Sequence, residues 1–375
     1  FFFMAAQLRA QLKQFKPPTT FLIGAAGALA ALVWCVRTKN ENPAKWERSV
    51  NFNRKLTPLE TVPPFAYGIC TIQGKRNHME DRAATIPDLT VLGEGLPCPV
   101  SIFGVFDGHG GSTSSTFVTS TFPRILAPKL KNETVATINT CMPQKLQEAL
   151  AETDNQLSQI SKALTDGTTA TVCCLTNNKL FTANIGDSRA ILSRAFTAID
   201  LSKDHKPDDP VEKARIVAAG GVVKTQDCAR VYYPNGSGGL AMSRALGDEF
   251  YKDKKRGTLV TGTADITEHA LYKEDQFIII GSDGLWDVMS STEVVDFIHR
   301  LRYISPKIDV NYLAQALVYE ASSKKSGDNI TVIVIELLND IPQNAKVTEV
   351  AGGANPAAVV EDPNKAKSEV QKKEQ

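Results

Sequence analysis

The chain carries almost no net charge: over 375 residues, 42 Lys and Arg against 41 Asp and Glu give +1. A nucleic-acid backbone demands a basic surface, and this balance supplies none. One sign of charge is missing locally, because no acid precedes Glu41 whereas Arg9, Lys13, Lys16, Arg37 and Lys39 do. The seven cysteines, at positions 35, 70, 98, 141, 173, 174 and 228, form no C-x-x-C pair and no metal-ligand spacing. They read as reduced thiols, not as a disulfide framework. There is no internal repeat. Gly108-His109-Gly110-Gly111 does not match G-x-x-x-x-G-K-[ST], so a P-loop nucleotide fold is not expected.

What is present begins with a basic segment, residues 1–18, that has helical spacing at Leu8, Leu12 and Phe15. An uncharged run from Thr19 to Val36 follows, flanked by Lys16 and Arg37. Its length suits a short transmembrane helix, with Trp34 at an interface. A signal peptide and a buried globular helix are the rival readings, and the acid-free start also has the look of a mitochondrial transit segment. The expectation is a single-pass anchor in a membrane, mitochondrial first, with the endoplasmic reticulum or another membrane and a cytosol-facing domain as the alternative. The sequon Asn329-Ile330-Thr331 argues against a lumenal domain, since a glycan there would collide with the site proposed below. Residues 37–64 read as a polar linker, and 339–375, rich in Ala, Pro, Lys and Glu, as a tail with little to bury.

Between them, 65–338 reads as one domain. Strand signals run over Phe65–Ile72, Arg82–Ile86 and Pro99–Phe106, then Thr168–Leu175, Leu180–Ile185 and Arg189–Ser193. Later ones cover Leu259–Thr263, Gln276–Gly281 and Ile330–Leu337. Helices are expected at Ser112–Leu130 (interrupted near Pro123), Gln144–Leu164, Asp208–Ala219, Ser291–Arg302 and Val310–Ser322. Gln226–Leu240 reads as irregular. Helices fall in pairs between groups of strands, without strict β-α-β alternation, so an α+β layered domain with antiparallel sheets is expected.

The chemistry lies where apolar strands stop on acids. Ile102–Phe106 runs into Asp107-Gly108-His109, Phe181–Gly186 into Asp187, and Phe277–Gly281 into Ser282-Asp283; Asp328 precedes the strand from Ile330. A lone Asp-Gly is usually a turn. Several acids abutting buried strands call for a cation, because each costs desolvation free energy without one. With Glu80, Asp81 and Asp287 they form an all-oxygen set, which selects Mg²⁺ or Mn²⁺ over Zn²⁺. Two such ions can activate a shared water, Arg76 is suited to phosphate oxygens, and His109 is the best placed of the histidines to protonate a leaving group. His78 and His205 read as structural or surface residues. A cysteine nucleophile in a C-x-x-x-x-x-R loop has no match.

Eight segments carry a resemblance. They are 76–81 (Arg-Asn-His-Met-Glu-Asp), 103–111 (Phe-Gly-Val-Phe-Asp-Gly-His-Gly-Gly), 166–170, 183–189, 204–207, 239–248, 281–287 and 327–329. Their order resembles that of the protein phosphatase 2C family of metal-dependent Ser/Thr phosphatases. The resemblance implies an α-β-β-α sandwich of two antiparallel sheets flanked by helices, with a dimetal site at one end. It makes Asp107 the bridging ligand and Gly108 a carbonyl ligand. Asp283 and Asp328 become ligands of one ion, and Glu80 and Asp81 ligands or water-holders of the other. Arg76 becomes the phosphate-binding arginine and His109 the general acid, while Asp187 and Asp287 match a third, weaker metal. It makes 206–245 the flap region.

The implied activity is hydrolysis of phosphoserine and phosphothreonine in proteins by a dimetal-bridging hydroxide. A phosphatase-like subunit with little turnover in a membrane assembly is the rival, and a dimetal nuclease a more distant one. Ala264, where the family often has Pro, and the unfamiliar flap sequence 224–229 are the departures.

Overall fold

A computed structural model of the chain describes residues 56–160, 165–253, 255 and 257–339. The basic segment, the apolar run 19–36, most of the expected linker and all but the first residue of the tail lie outside the described residues. Among the described residues, no helix is long and apolar enough to cross a membrane.

Ten strands build two five-stranded antiparallel sheets. One contains β1 (Phe65–Ile72), β6 (Arg189–Arg194), β7 (Thr197–Asp200), β9 (Asp275–Gly281) and β10 (Ile330–Leu337), in the order β1-β10-β9-β6-β7. The other contains β2 (Arg82–Ile86), β3 (Val100–Phe106), β4 (Ala170–Thr176), β5 (Lys179–Ile185) and β8 (Asp265–Ala270), in the order β8-β5-β4-β3-β2. Helices α1 (Thr113–Leu130) and α2 (Ile138–Ile160) cover the second sheet. Helices α5 (Ser291–Ile304) and α6 (Val310–Ser323) cover the first. Two shorter helices are α3 (Pro210–Ala218) and α4 (Asp283–Trp286).

The residue pattern explains the layers. In β3, Phe103 and Val105 pack between the sheets against Ile278, Ile280 and Ile333. Ile102 and Phe106 turn the other way, onto Val118, Phe122 and Leu126 of α1. A strand covered on both faces must be apolar throughout, which is why 102–106 reads as a continuous run and not an alternation. α5 starts where the sequence expects it, on a capping box: Ser290 accepts from the Glu293 amide and Glu293 bonds back to Ser290.

Some elements differ from the sequence expectation, and β7 and α4 were not anticipated at all. α1 runs uninterrupted through Pro123 and Pro128; the burial of Val118, Phe122, Ile125, Leu126 and Leu130 outweighs the lost backbone bonds. α2 begins six residues early and includes Pro143. The stretch 226–240, expected to be irregular, carries the strands 229–232 and 238–240, which form a small antiparallel sheet with 222–225 just before it. Leu259–Thr263 forms no strand, only a bridge from Thr261 to Arg244, and the strand lies just beyond it as β8. The end of the expected linker is also engaged, with the Leu59 amide donating to Leu271 O at 3.0 Å.

Candidate active site

Antiparallel register gathers the acids at one end of the sandwich. Arg82 pairs with Phe106, Ala170 with Ile185, and Gly281 with Val332. The start of β2 therefore lies beside the end of β3, the start of β4 beside the end of β5, and the end of β9 near the start of β10. Glu80 and Asp81, Asp107, Asp187, Asp283 and Asp328 occupy those ends.

The two sheets are tied together here by side chains. Ser282 Oγ donates to Asp81 Oδ2 at 2.8 Å while accepting from the Thr331 amide at 3.0 Å. Asn329 is 4% exposed; its Oδ1 accepts from the Glu80 amide, and its Nδ2 donates to the carbonyls of Gln73 and His78. The Asp107 amide donates to Thr169 Oγ1 and the Thr169 amide to Asp107 O, both at 2.9 Å. Gly108 is packed so closely that a Cβ would lie 2.6 Å from Glu80 O. Only glycine leaves this backbone room to approach that strand.

Like charges dominate the electrostatics. Burial, followed by the charges of Asp81, Asp283, Asp187 and Asp328, holds Asp107 well above the usual carboxylate range. Asp283 is pushed up to about 8 by burial and then by Asp187, Asp287 and Asp328. Asp81 is raised chiefly by burial. Such a cluster is stable only with compensating positive charge. Two side chains supply part of it: Arg76 Nη2 meets Asp328 Oδ2 at 2.5 Å, and Lys206 Nζ meets Asp187 Oδ2 at 2.6 Å.

Among the described residues, three buried carboxylate oxygens remain without a protein partner: Asp81 Oδ1, Asp187 Oδ1 and Asp283 Oδ1. They fit hard divalent cations, since nothing else at this end offers them a donor. Among the described residues, no three His, Cys, Asp or Glu side chains form a closed cage. Arg76 and Lys206 draw an oxygen of Asp328 and of Asp187 toward themselves. Asp287, at the end of α4, is exposed and couples electrostatically to Lys206 and Asp187.

A cavity of about 730 Å³ opens beside Lys206, but its cations are already matched, Arg189 by Asp204 and Lys203 by Asp209. The chemistry belongs to the acid cluster.

His109 sits at the same end, its Nε2 2.7 Å from Asp248 Oδ2. Burial pulls its pKa down, and the Asp248 charge and hydrogen bond outweigh that, for a net rise. His205 is buried and structural: its Nδ1 accepts from the Gly186 amide at 3.1 Å, and its Nε2 faces Asp265. His78 is exposed.

This geometry can be set beside known proteins. The family model described as "Protein phosphatase 2C" matches residues 65–330. The chain belongs to the protein phosphatase 2C family. It is 37% identical over 286 residues to "Probable protein phosphatase 2C 59" of Oryza sativa subsp. japonica, covering 74% of this chain and 79% of that one. "Protein phosphatase 2C homolog 3" of Schizosaccharomyces pombe is 33% identical over 294 residues, 76% of this chain and 67% of that one. The solved serine-threonine phosphatase 2C from Toxoplasma gondii superposes with a TM-score of 0.62 at 26% identity, over 75% of this chain and 98% of that one. This phosphatase 2C chain is a metal-dependent protein Ser/Thr phosphatase.

Sequence reasoning assigned no role to Ser282, Asn329, Thr169, Lys206 or Asp248, although all five stand in the quoted motifs. Their partners are distant in sequence, and single-sequence spacing carries no signal for that.

Proposed function

We propose that the acid cluster holds two divalent ions, Mg²⁺ or Mn²⁺, with a weaker third, and that phosphoserine and phosphothreonine in proteins are hydrolysed there by direct attack of water. The observation that carries this reading is the set of orphaned oxygens on Asp81, Asp187 and Asp283, in a cluster whose like charges push Asp283 up to about 8. When bound, the ions supply positive charge for the phosphoryl oxygens and an activated water.

The chain's own residues supply the rest. Asp107 would be shared between the two ions and Gly108 would offer its carbonyl. Asp283 and Asp328 would hold one ion, Glu80 and Asp81 the other, and Asp187 with Asp287 the weak one. Arg76 is 58% exposed and engages Asp328 through Nη2, so its guanidinium can turn to a phosphate as that carboxylate turns to an ion. His109 would hand a proton to the departing serine or threonine oxygen. We place substrate selection on the small sheet at 222–240, within the flap 206–245.

The test is hydrolysis of a phosphothreonine peptide by the purified chain across a Mn²⁺ and Mg²⁺ titration. Turnover should require the ion, resist thiol-directed inhibitors and be lost in Asp283→Asn. Metal-independent turnover, or none from folded protein, would overturn the reading. For the uncharged run 19–36 we propose a membrane anchor, mitochondrial first; release of the full chain by carbonate extraction would refute it.

A further inference from the structure

A three-stranded ribbon beside the acid cluster brings together two residues from distant parts of the chain. Residues 108–109 pair with 167–168, and 167–168 pair with 246–247: His109 opposes Gly167, which opposes Gly247. Asp248 follows directly, so the ribbon's register delivers its carboxylate to the imidazole. The bond is 2.7 Å from Asp248 Oδ2 to His109 Nε2, and the Asp248 side chain is 3% exposed.

The placement is built at some conformational cost. Gly247 and Asp248 have φ of +76° and +53°, a left-handed pair that few non-glycine residues adopt. Three contacts fix it: the Asp248 amide donates to Asp166 O at 3.1 Å, the Gly247 amide to Asp154 Oδ1 at 2.8 Å, and Asp154 is paired with Lys252 at 2.5 Å. Gly167 walls the pair, since a Cβ there would lie 2.2 Å from Asp248 Oδ2 and 2.6 Å from His109 Nε2. The same Asp166 whose carbonyl holds Asp248 also accepts from the Thr113 and Ser114 amides at the start of α1. A turn residue needs none of this, and its carboxylate would ordinarily face water.

A carboxylate accepts and cannot donate, so Nε2 must carry the hydrogen in this bond. The other ring nitrogen, Nδ1, is buried and has no partner.

We propose that Asp248 is the positioning residue for His109: it takes the Nε2–H, fixes the plane of the ring, and leaves Nδ1 as the nitrogen that meets the substrate's departing oxygen. This rests on His109 being the proton donor. In the step, the water oxygen forms a new bond to phosphorus and the bond from phosphorus to the serine or threonine oxygen breaks. The proton on Nδ1 passes to that oxygen, and the water's surplus proton returns through solvent to the ring. Asp248 stays charged throughout.

The test compares leaving groups. An alkyl phosphate such as a phosphothreonine peptide needs protonation on departure, whereas p-nitrophenyl phosphate does not. Asn tolerates the left-handed backbone and matches Asp in shape, so Asp248→Asn preserves the turn while removing the charge. It should lower kcat on the peptide at least about tenfold more than kcat on p-nitrophenyl phosphate, in the direction expected of a disturbed general acid. An equal loss on both substrates would overturn the proposal and leave Asp248 a turn residue. His109→Ala run alongside separates the two ideas: if it shows no leaving-group bias, His109 is not the acid; if it does and Asp248→Asn does not, only the positioning role fails.

A second readout needs no Asp248 variant. In full-length protein labelled on its five histidines and loaded with Mg²⁺, the bonded Nε2–H should give a strongly deshielded, slowly exchanging proton signal that is missing in His109→Ala. Its absence from the wild-type protein would overturn the proposal as well.

Discussion

Lys206 Nζ lies 2.6 Å from Asp187 Oδ2, and the Asp187 side chain is 1% exposed while its other oxygen has no partner. Burial lowers the affinity of Lys206 for its proton, and the carboxylate opposite more than restores it, so the ammonium stays charged. A tethered cation thus occupies one half of an acid whose other half is open. Lys206→Met should have two effects. The metal-free protein should lose roughly 1–3 kcal/mol, because a buried carboxylate is stripped of its partner. The weakest Mn²⁺ site should tighten, because the ion no longer competes with an ammonium. Calorimetric titration and thermal melts with and without Mn²⁺ read both; unchanged Mn²⁺ affinity would remove Lys206 as a competitor.

Asp283 should trade stability for ion binding. It rises from 3.8 to about 8 in the folded protein, so its ionised form is disfavoured there. Relative to acid conditions, the folded state loses stability as pH climbs from about 4, with the loss complete above about 8. In chelator, Asp283→Asn should therefore melt higher than the wild type, by a margin that widens over that window. With Mg²⁺ the order should reverse. A variant that melts lower than wild type in chelator at pH 8 would contradict this.

Arg244 holds α3 and β8 together. Its Nε and Nη2 donate to Glu212 Oε1 at 3.0 and 2.6 Å, and its Nη1 to Asp265 Oδ1 at 2.6 Å. Glu212 is 3% exposed and, among the described residues, retains Arg215 as its charged partner if Arg244 is removed. Arg244→Ala should cost about 2–4 kcal/mol in denaturant unfolding and speed proteolysis within 222–240. A loss below about 1 kcal/mol would mean that the network is dispensable.

His299 gives an acid sensitivity away from the active site. Its Nε2 is 2.8 Å from Ser193 Oγ, its ring packs on Phe196 and Phe277, and burial pulls it from 6.5 to about 4. A depressed histidine stabilises the fold fully above about 6.5, and that contribution is lost as pH falls toward 4, by on the order of 3 kcal/mol. His299→Gln, which keeps a hydrogen-bonding group, should lose about 2 kcal/mol less than wild type between pH 7 and 4.5 by urea unfolding. Parallel losses would place the acid sensitivity elsewhere.

The central strands were legible because burial on two faces leaves long apolar runs, as in 102–106 and 277–280. The acids were legible because they interrupt those runs abruptly. The sheet at 222–240 was not, since its strands are only three or four residues long, and the last is Gly-Gly-Leu. β8 reads Asp-Ile-Thr-Glu-His-Ala, a half-exposed edge strand with few β-formers, and it is held by pairing with β5 and not by its own propensity. The site's supporting contacts were invisible for another reason. Ser282 meets Asp81 across 201 positions and His109 meets Asp248 across 139, and only the closed sandwich brings such pairs together.

Asn329 gives its side-chain amide hydrogens to Gln73 and His78 and is 4% exposed. It is also the acceptor residue of an Asn-Ile-Thr sequon. An N-linked glycan would need the same nitrogen as the folded clasp, so the order of events would decide between them. A chain that folds first hides the acceptor from any transferase. A chain that is modified first cannot form the clasp joining β10 to the loop before β2, and so cannot finish its own active site.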